Sequence, residues 1–337
     1  MKILFSGHHN PYFWTLTEYL ESAIRRIGHE LVIFEDRRHI IPGRVRKRLS
    51  SLNLLDLLII NKRLTRLAKR TKPDISIVTG GYRITGKTVS RLKAINTVCI
   101  LWTIDAPRNF QPILNAAPFY DHIFCQGTEA IELLLNKGIT GVRWLPMGCD
   151  PDVHYPVSCS VMEQKTYGSD IVFVGSYYPN RAAMLEPLTS FNLTIYGPGW
   201  NELPIDSKLR PLVRSAHIRP DQWRSIYNAS KIVLSIHYQD PLNRFPVYQA
   251  SPRVFEAMAC GAFVLTDRQK DVLALFEDER HLATFSDGND LVKKINYYLN
   301  HDNVREKIAA AGRQEVLANH TYVHRLRTLF EQILPPS

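Results

Sequence analysis

The chain has 337 residues, of which 45% are hydrophobic and 22% are charged. This composition is typical of a globular protein, and the length suits two α/β domains of roughly 150 residues each better than one domain. No apolar stretch approaches the ~20 residues that a membrane-spanning helix needs, and no signal peptide is predicted. The five cysteines lack metal-ligand spacing, which predicts reduced thiols in a cytoplasmic protein and no metal site.

The net charge of +10 comes from one segment. Residues 37–72 contain twelve lysines and arginines and one acid, Asp56. Leucines at helical spacing run through the same segment, so one interpretation is peripheral attachment to the anionic inner face of a membrane. The other interpretation is a solvated helix that happens to be basic. Nucleic acid is the disfavoured partner, because no aromatic residues are interleaved with the cations.

Apolar periodicity and turn residues predict strands alternating with helices along the first half. Strands are predicted at residues 2–6, 30–34, 75–79, 97–102, 122–125 and 142–145, and helices at 12–27, 45–70, 88–93 and 129–137. The polar run 157–168 has no periodicity and predicts a linker. After it, strands are predicted at 170–174, 193–196, 232–236 and 262–266, and helices at 180–190, 221–229, 252–259 and 323–334.

This alternation predicts an α/β protein with two doubly wound, Rossmann-like domains. The first domain is predicted at residues 1–160 and the second at 161–319. The last helix, at about 320–337, is predicted to pack back on the first domain.

The segment that begins at Ser251 predicts an anion site. Ser251 suits a helix N-cap and Pro252 the first helical position, so the free N–H groups that follow, including that of Val254, would point toward a ligand such as a diphosphate. Arg253 lies in the first turn and Glu256 three residues further on. The alternative is an ordinary surface pair of arginine and glutamate.

The segment RVFEAMACGAFVLTD resembles the donor-site signature of the CgeB-like (spore maturation protein) glycosyltransferases. The likeness extends to DIVFVGSYYPNR, LTIYGPGW, DHIFCQG, LPMGCDPDVHYP and LWTIDAP, and so covers nearly the whole chain. These enzymes are relatives of the retaining GT-B group that includes sucrose and glycogen synthases. The resemblance implies a GT-B fold with two domains facing an inter-domain cleft. It also implies retaining, metal-independent transfer from a nucleotide-diphosphate sugar, with a UDP-sugar expected and no cofactor.

The resemblance also implies roles for individual residues. Glu256 would hold the ribose of the nucleotide, and the helix start at Ser251, Arg253 and Val254 would bind its diphosphate. Gly175 and Ser176 would form a glycine-bearing loop at the donor, and Arg181 would neutralise phosphate charge. The walls of the nucleobase pocket would be Gly197, Ile218 and Arg219. One departure concerns the sugar. Where the larger group carries a second glutamate, this chain has Tyr248, so the identity of the donor sugar cannot be inferred from the group.

Three residues are predicted to be catalytic. Asp105 follows a strand in the acceptor domain, and would be the general base if transfer were inverting. His8 follows the first strand, and His237 follows the strand at 232–236. Each has a structural alternative: an Asx-turn for Asp105, a purely structural role for one of His8 and His9, and a loop-closing hydrogen bond for His237.

Two other functions fit the same pattern. A nucleotide-sugar 2-epimerase also has two facing Rossmann-like domains and needs no acceptor. A non-catalytic nucleotide-binding or spore-coat protein is favoured by Tyr248 and opposed by the intact pair of Arg253 and Glu256. The acceptor stays open: a cell-surface or spore glycan, a lipid-linked molecule or a protein.

Overall fold

The computed structural model describes residues 1–10, 14–48, 51–108 and 110–333. The chain divides into two compact units, Met1–Pro146 with Leu326–Ser337, and Met147–Arg325. Each unit contains a six-stranded, entirely parallel sheet flanked by helices. The predicted α/β class with two Rossmann-like folds is thereby confirmed. The domain limits drawn from the sequence stay predictions.

The first unit is built on a sheet whose inner strands are buried on both faces, as is typical of parallel sheets. Its strands are β1 (Lys2–Gly7), β2 (Glu30–Glu35), β3 (Ile75–Thr79), β4 (Val98–Thr103), β5 (His122–Cys125) and β6 (Val142–Trp144), in the order β2-β1-β3-β4-β5-β6. Leu4, Val78 and Leu101 from three neighbouring strands share one core cluster with Leu64 of a covering helix.

Helices α1 (Leu16–Arg26), α2 (Gly43–Arg48), α3 (Ser51–Thr71), α4 (Gly86–Lys93), α5 (Gln111–Ala116) and α6 (Thr128–Asn136) belong to the first unit. A capping box between Thr15 and Glu18 begins α1. Part of the helix predicted at 12–27 falls on residues 11–13, which lie outside the described residues. Of the region predicted as a helix at 45–70, the structure describes helix up to residue 48 and again from residue 51, and residues 49 and 50 lie outside the described ranges.

The second unit has the strands β7 (Ser169–Val174), β8 (Leu193–Tyr196), β9 (Val213–Ser215), β10 (Ser230–Ser235), β11 (Val264–Asp267) and β12 (Ala283–Phe285), in the order β12-β11-β10-β7-β8-β9. Phe173, Ile195, Leu234 and Leu265 are completely buried in its core. The edge strand β9 was not predicted; it has only three residues and none is fully buried, so its apolar pattern is weak.

The helices of the second unit are α7 (Val161–Tyr167), α8 (Pro179–Leu185), α9 (Pro220–Asn228), α10 (Pro252–Ala259), α11 (Lys270–Leu275), α12 (Gly288–Leu299) and α13 (Asp302–Asn319); α14 (Tyr322–Ile333) follows. The linker predicted at 157–168 is therefore wrong for most of its length. A capping box starts α7, since the Ser160 hydroxyl accepts from the Glu163 N–H and the Glu163 carboxylate accepts from the Ser160 N–H. None of the α7 residues is fully buried, which explains the absence of an apolar period.

Strand order identifies the place in each sheet where a ligand can enter. In a doubly wound sheet this is the crevice beyond the carboxyl ends of the two strands from which the chain turns in opposite directions. These strands are β1 and β3 in the first unit and β7 and β10 in the second. Among the described residues, no helix is long and apolar enough to span a bilayer.

A buried carboxylate attaches α3 to the rest of the first unit. Asp56 is 1% exposed and accepts hydrogen bonds from the Arg83 guanidinium, from His39 and from the backbone N–H groups of Ile40 and Ile41. Burial alone would raise the pKa of Asp56, but these donors hold it well below its ordinary value. The one acid in the basic segment therefore faces inward.

We expect Asp56→Ala to lower the free energy of unfolding by about 3 kcal/mol, because the substitution leaves a buried guanidinium without its carboxylate. Urea denaturation at neutral pH measures the change. Asp206→Ala is the control, since Asp206 is exposed and makes no hydrogen bond or ion pair with described residues. A loss below about 1 kcal/mol, within the range of exposed ion pairs, would contradict the structural role of Asp56.

Candidate functional sites

Two glycines shape the carboxyl end of the second sheet. The Gly175 N–H donates to the Tyr196 carbonyl at 2.8 Å, and the Trp200 indole N–H donates to the Gly175 carbonyl at 2.8 Å. Gly197 has a φ of +130°, and a Cβ at this residue would collide with the Gly175 carbonyl oxygen. The loops after β7 and β8 can approach each other this closely only because residue 197 is glycine.

The start of α10 presents a guanidinium to this loop. Arg253 lies so close to Gly175 that a Cβ on the glycine would be 2.5 Å from its Nη2 atom. The Arg253 guanidinium carbon is 5.4 Å from the centroid of the Phe173 ring. Its Nη1 atom is buried without a hydrogen-bond partner, and the side chain forms no ion pair with any described residue. A buried donor without a partner is uncommon and typical of a ligand site.

A second guanidinium lies over the same aromatic ring. Arg181 is 7% exposed, and its guanidinium carbon is 5.6 Å from the Phe173 centroid. It donates to the carbonyl oxygens of Ile236 and Ser176, both at 2.9 Å, and pairs with no carboxylate in the described chain. Burial, and then the positive charge of Arg253, lowers the pKa of Arg181. Two neighbouring cations, one buried and the other partly buried, favour an anionic ligand.

Glu256 lies one turn into α10 and is also without a hydrogen bond to its carboxylate among the described residues. Its side chain is 14% exposed, and burial raises its pKa to about 7 against the opposing charge of Arg253. The nearest basic group is His154, whose Nε2 atom is 3.9 Å from Glu256 Oε1. Burial lowers the pKa of His154 to about 4, so this histidine is neutral and does not form a charged pair.

His154 was missed by the sequence reasoning. It lies in the quoted segment LPMGCDPDVHYP, where a single histidine gives no spacing signal. In the structure it is 1% exposed, and its ring stacks on Trp223 at 6.4 Å with an interplanar angle of 7°. Only the fold brings it beside Glu256, about 100 residues later in the chain.

His237 makes the loop-closing hydrogen bonds that were its structural alternative, and its catalytic role stays a prediction. Its Nδ1 atom is 2.6 Å from Asp267, and its Nε2 atom accepts from the Ser251 backbone N–H at 2.9 Å. With both ring nitrogens engaged and 2% exposure, this histidine cannot reach a ligand without breaking a bond. It instead fixes the residue that begins α10. Ser251 is the N-cap as predicted, and its hydroxyl makes no capping hydrogen bond. The Val254 N–H is engaged by the Ser251 carbonyl at 3.0 Å.

Two of the three residues predicted to surround the nucleobase each line a separate depression. Ile218 lines one of about 220 Å³, together with the rings of Tyr167 and Tyr196. Gly197 lines the other, of about 300 Å³. Arg219 lines neither; it is the N-cap of α9, and its backbone N–H donates to Gln222.

Tyr248 supplies no carboxylate to this end of the sheet. Its carbonyl accepts from the Asp271 N–H at the start of α11, and the Lys270 ammonium lies 4.7 Å from its ring centroid. Where the larger group carries a glutamate, this chain therefore has an aromatic ring with a cation against it.

In the first unit, two glutamates hold the loop after β1. His9 Nδ1 lies 2.8 Å from Glu35, and His9 Nε2 lies 2.8 Å from Glu21. Although burial opposes it, contacts with these carboxylates raise the pKa of His9. His9 is thus the structural member of the histidine pair. His8 touches Glu35 at 3.3 Å and keeps 39% of its side chain exposed.

The loops after β2, β3 and β4 bring three polar side chains together. Asp105 is 53% exposed, is hydrogen-bonded to Tyr82 and lies 3.9 Å from the Arg37 guanidinium. The Arg37 guanidinium carbon is 5.8 Å from the Tyr82 ring centroid. The predicted Asp105 is therefore part of an exposed cluster with Arg37 and Tyr82, neither of which was singled out from the sequence.

No set of three or more His, Cys, Asp or Glu side chains suited to hold a metal ion occurs in the described part of the chain.

The raised pKa of Glu256 predicts a dependence of stability on pH. Because the folded state favours the neutral acid, its stabilising contribution is complete below the ordinary pKa of 4.5 and is lost as the pH rises toward 7. We expect Glu256→Gln to raise the free energy of unfolding at pH 8 by about 2 kcal/mol and to change it little at pH 4.5. Urea denaturation at both pH values measures this, with the exposed Glu306→Gln as control. Equal effects at both pH values would contradict a raised pKa.

Comparison with known proteins agrees with this geometry. A family model described as glycosyl transferase-like matches residues 181–331, which include Arg181, Arg253 and Glu256. Spore protein CgeB of Bacillus subtilis (strain 168) is 24% identical over 262 residues, which are 74% of this chain and 80% of that protein.

Solved structures show the same fold at low identity. Sucrose-phosphate synthase from Thermosynechococcus elongatus has a TM-score of 0.69 at 13% identity, and 98% of each chain is covered. HepE from Anabaena, in complex with UDP and glucose, has a TM-score of 0.64 at 12% identity, and 99% of each chain is covered. The resemblance seen in the sequence is thus confirmed: residues 181–331 match a glycosyl transferase-like family model, the chain is similar to Spore protein CgeB, and its fold is GT-B.

Proposed function

We propose that the second unit binds a nucleotide-diphosphate sugar at Arg181, Arg253 and the start of α10. The observation that carries this proposal is the adjacent pair of a buried guanidinium, Arg181, and a partly buried one, Arg253, neither ion-paired with a carboxylate of the described chain. A diphosphate would supply the missing negative charge and accept from the Arg253 Nη1 atom. The glycine at 175 leaves room for the Arg253 guanidinium at this end of the sheet.

Glu256 is proposed to grip the ribose of the same nucleotide. Its carboxylate accepts no hydrogen bond from the described protein and lies one turn from Arg253, so two hydroxyl donors would satisfy it. The depression with Tyr167, Tyr196 and Ile218 is the proposed place of the base. A UDP-sugar is the proposed donor, supported by the UDP complex of the structurally similar HepE.

The reaction is proposed to retain anomeric configuration and to need no metal. The bond between the anomeric carbon and the diphosphate oxygen breaks, and a bond from an acceptor oxygen to the same carbon forms. The acceptor proton passes to the departing phosphate. Arg181 and Arg253 stabilise the charge that develops on the leaving group, which is the part a divalent cation plays elsewhere.

The first unit is proposed to bind the acceptor at the carboxyl ends of β1 to β4. Arg37, Tyr82 and Asp105 offer a donor, an aromatic face and an acceptor within one exposed cluster, a combination suited to sugar hydroxyls. His8 lies in the loop after β1, keeps 39% of its side chain exposed and stays a catalytic candidate. The acceptor class, glycan, lipid-linked or protein, and the cytoplasmic location stay predictions.

Arg253→Gln tests the diphosphate site. We expect the affinity for UDP to fall about 10- to 100-fold, because charge-assisted hydrogen bonds to phosphate are lost, and the affinity for uridine to stay unchanged. Isothermal titration with UDP and uridine measures both. Arg280→Gln, which removes an exposed cation of the same unit, is the control and should bind UDP normally.

Three results would contradict, in turn, the diphosphate site, the metal independence and the transferase class. Equal losses for UDP and uridine would mean that Arg253 only supports the helix. UDP affinity that collapses in EDTA and returns with Mn²⁺ would contradict metal independence. Incubation of the wild-type protein with donor alone separates the two enzyme classes, because slow hydrolysis indicates a transferase and an epimerised sugar nucleotide indicates a 2-epimerase.

Asp105→Asn tests the acceptor site. We expect an unchanged UDP affinity, a raised acceptor KM and a kcat lowered less than about tenfold, because a retaining reaction needs no carboxylate base. The product should keep the anomeric configuration of the donor, measured by NMR. Asp206→Asn is the matched control. An inverted product together with a kcat loss of roughly 10²- to 10⁴-fold would make Asp105 the general base instead.

A further inference from the structure

One face of α3 carries apolar and cationic side chains to solvent. At about 100° per residue, Leu54, Leu55 and Leu58 lie on one side of the helix. They are 66%, 47% and 68% exposed, whereas Ile60 and Leu64 on the opposite side are buried in the first unit. Isolated exposed leucines are common, but three of them within two turns form a continuous apolar face.

The same face continues as a row of cations. Lys62, Arg66 and Lys69 lie within about 120° of Leu54 around the helix and are all exposed. The apolar end and the basic end are therefore in line along one side of a single helix.

No acid interrupts this surface, because of the fold. Asp56 is the one acid between residues 37 and 72, and its carboxylate is buried against Arg83 and His39. From composition alone, Asp56 would reduce the positive charge of the helix. The structure removes it from the exposed face and leaves leucine, basic and uncharged polar side chains there.

We propose that this face of α3 binds an anionic phospholipid surface, with the leucines in the interfacial region and the cations at the lipid phosphates. An amphipathic helix lying in the membrane plane has this arrangement, and long basic side chains can reach the head groups from such a position. Charge complementarity selects lipid over a protein partner, and the absence of aromatic side chains from residues 37–72 argues against single-stranded nucleic acid. The proposal is independent of the sugar-nucleotide site.

Sedimentation of the full chain with vesicles tests this surface. The vesicles are pure phosphatidylcholine, or phosphatidylcholine mixed with phosphatidylglycerol. We expect binding to the mixed vesicles only. Replacing Lys62, Arg66 and Lys69 together by Gln should lower the partition coefficient about fivefold per charge, roughly 100-fold in total, and Leu54→Ser with Leu58→Ser about tenfold or more. UDP affinity should be unchanged in both variants.

Matched controls come from the second unit. Lys208, Lys293 and Lys307 are exposed, so their joint replacement by Gln changes the net charge equally. Val161 and Met162, 90% and 71% exposed, are the apolar control for replacement by Ser. Unchanged vesicle binding in the α3 variants, or equal losses in the controls, overturns the proposal. So does tighter binding to a duplex oligonucleotide than to vesicles, or a dimer that Leu54→Ser with Leu58→Ser dissociates.

Discussion

The donor-side structure depends on two guanidinium groups held over one phenylalanine ring without a counter-charge. Arg181 and Arg253 come from different helices, and each is about 5.5 Å from Phe173. Like charges in a poorly hydrated place are costly unless an anion joins them. The surrounding backbone is organised to keep them there: Gly175 leaves room for Arg253, and the pair of His237 and Asp267 holds the N–H group that begins α10.

The buried carboxyl of Glu256 lowers the stability of the folded state at neutral pH and above. Burial raises the pKa of this carboxyl to about 7 even though the charge of Arg253 opposes the rise, and the histidine beside it is neutral. A structural role would be served better by a hydrocarbon or by a hydrogen-bonded amide. An unsatisfied acid and an unsatisfied guanidinium one turn apart are therefore best explained by a polar ligand that meets both.

The first unit separates structural carboxylates from exposed ones. Asp56 and Glu21 are buried, and each is paired with a cationic or imidazole side chain, so they attach α3 and the loop after β1 to the core. Asp105 is exposed beside Arg37 and Tyr82. Inward orientation of Asp56 has a second consequence, because it leaves the solvent face of α3 without an acidic side chain.

Much of the architecture was determined by the sequence alone, because hydrophobic periodicity, caps and glycine stops are local signals. The βα alternation, the start of α10 at Ser251 and Pro252, and the chemical departure at Tyr248 could all be read in this way. Local signals do not report which side chains meet: Arg181 with Arg253, His154 with Glu256, and His237 with Ser251 are pairs formed by packing between distant segments. The helix in the presumed linker and the inward direction of Asp56 were likewise decided by the tertiary structure. Burial and long-range hydrogen bonds select among the conformations that local sequence permits.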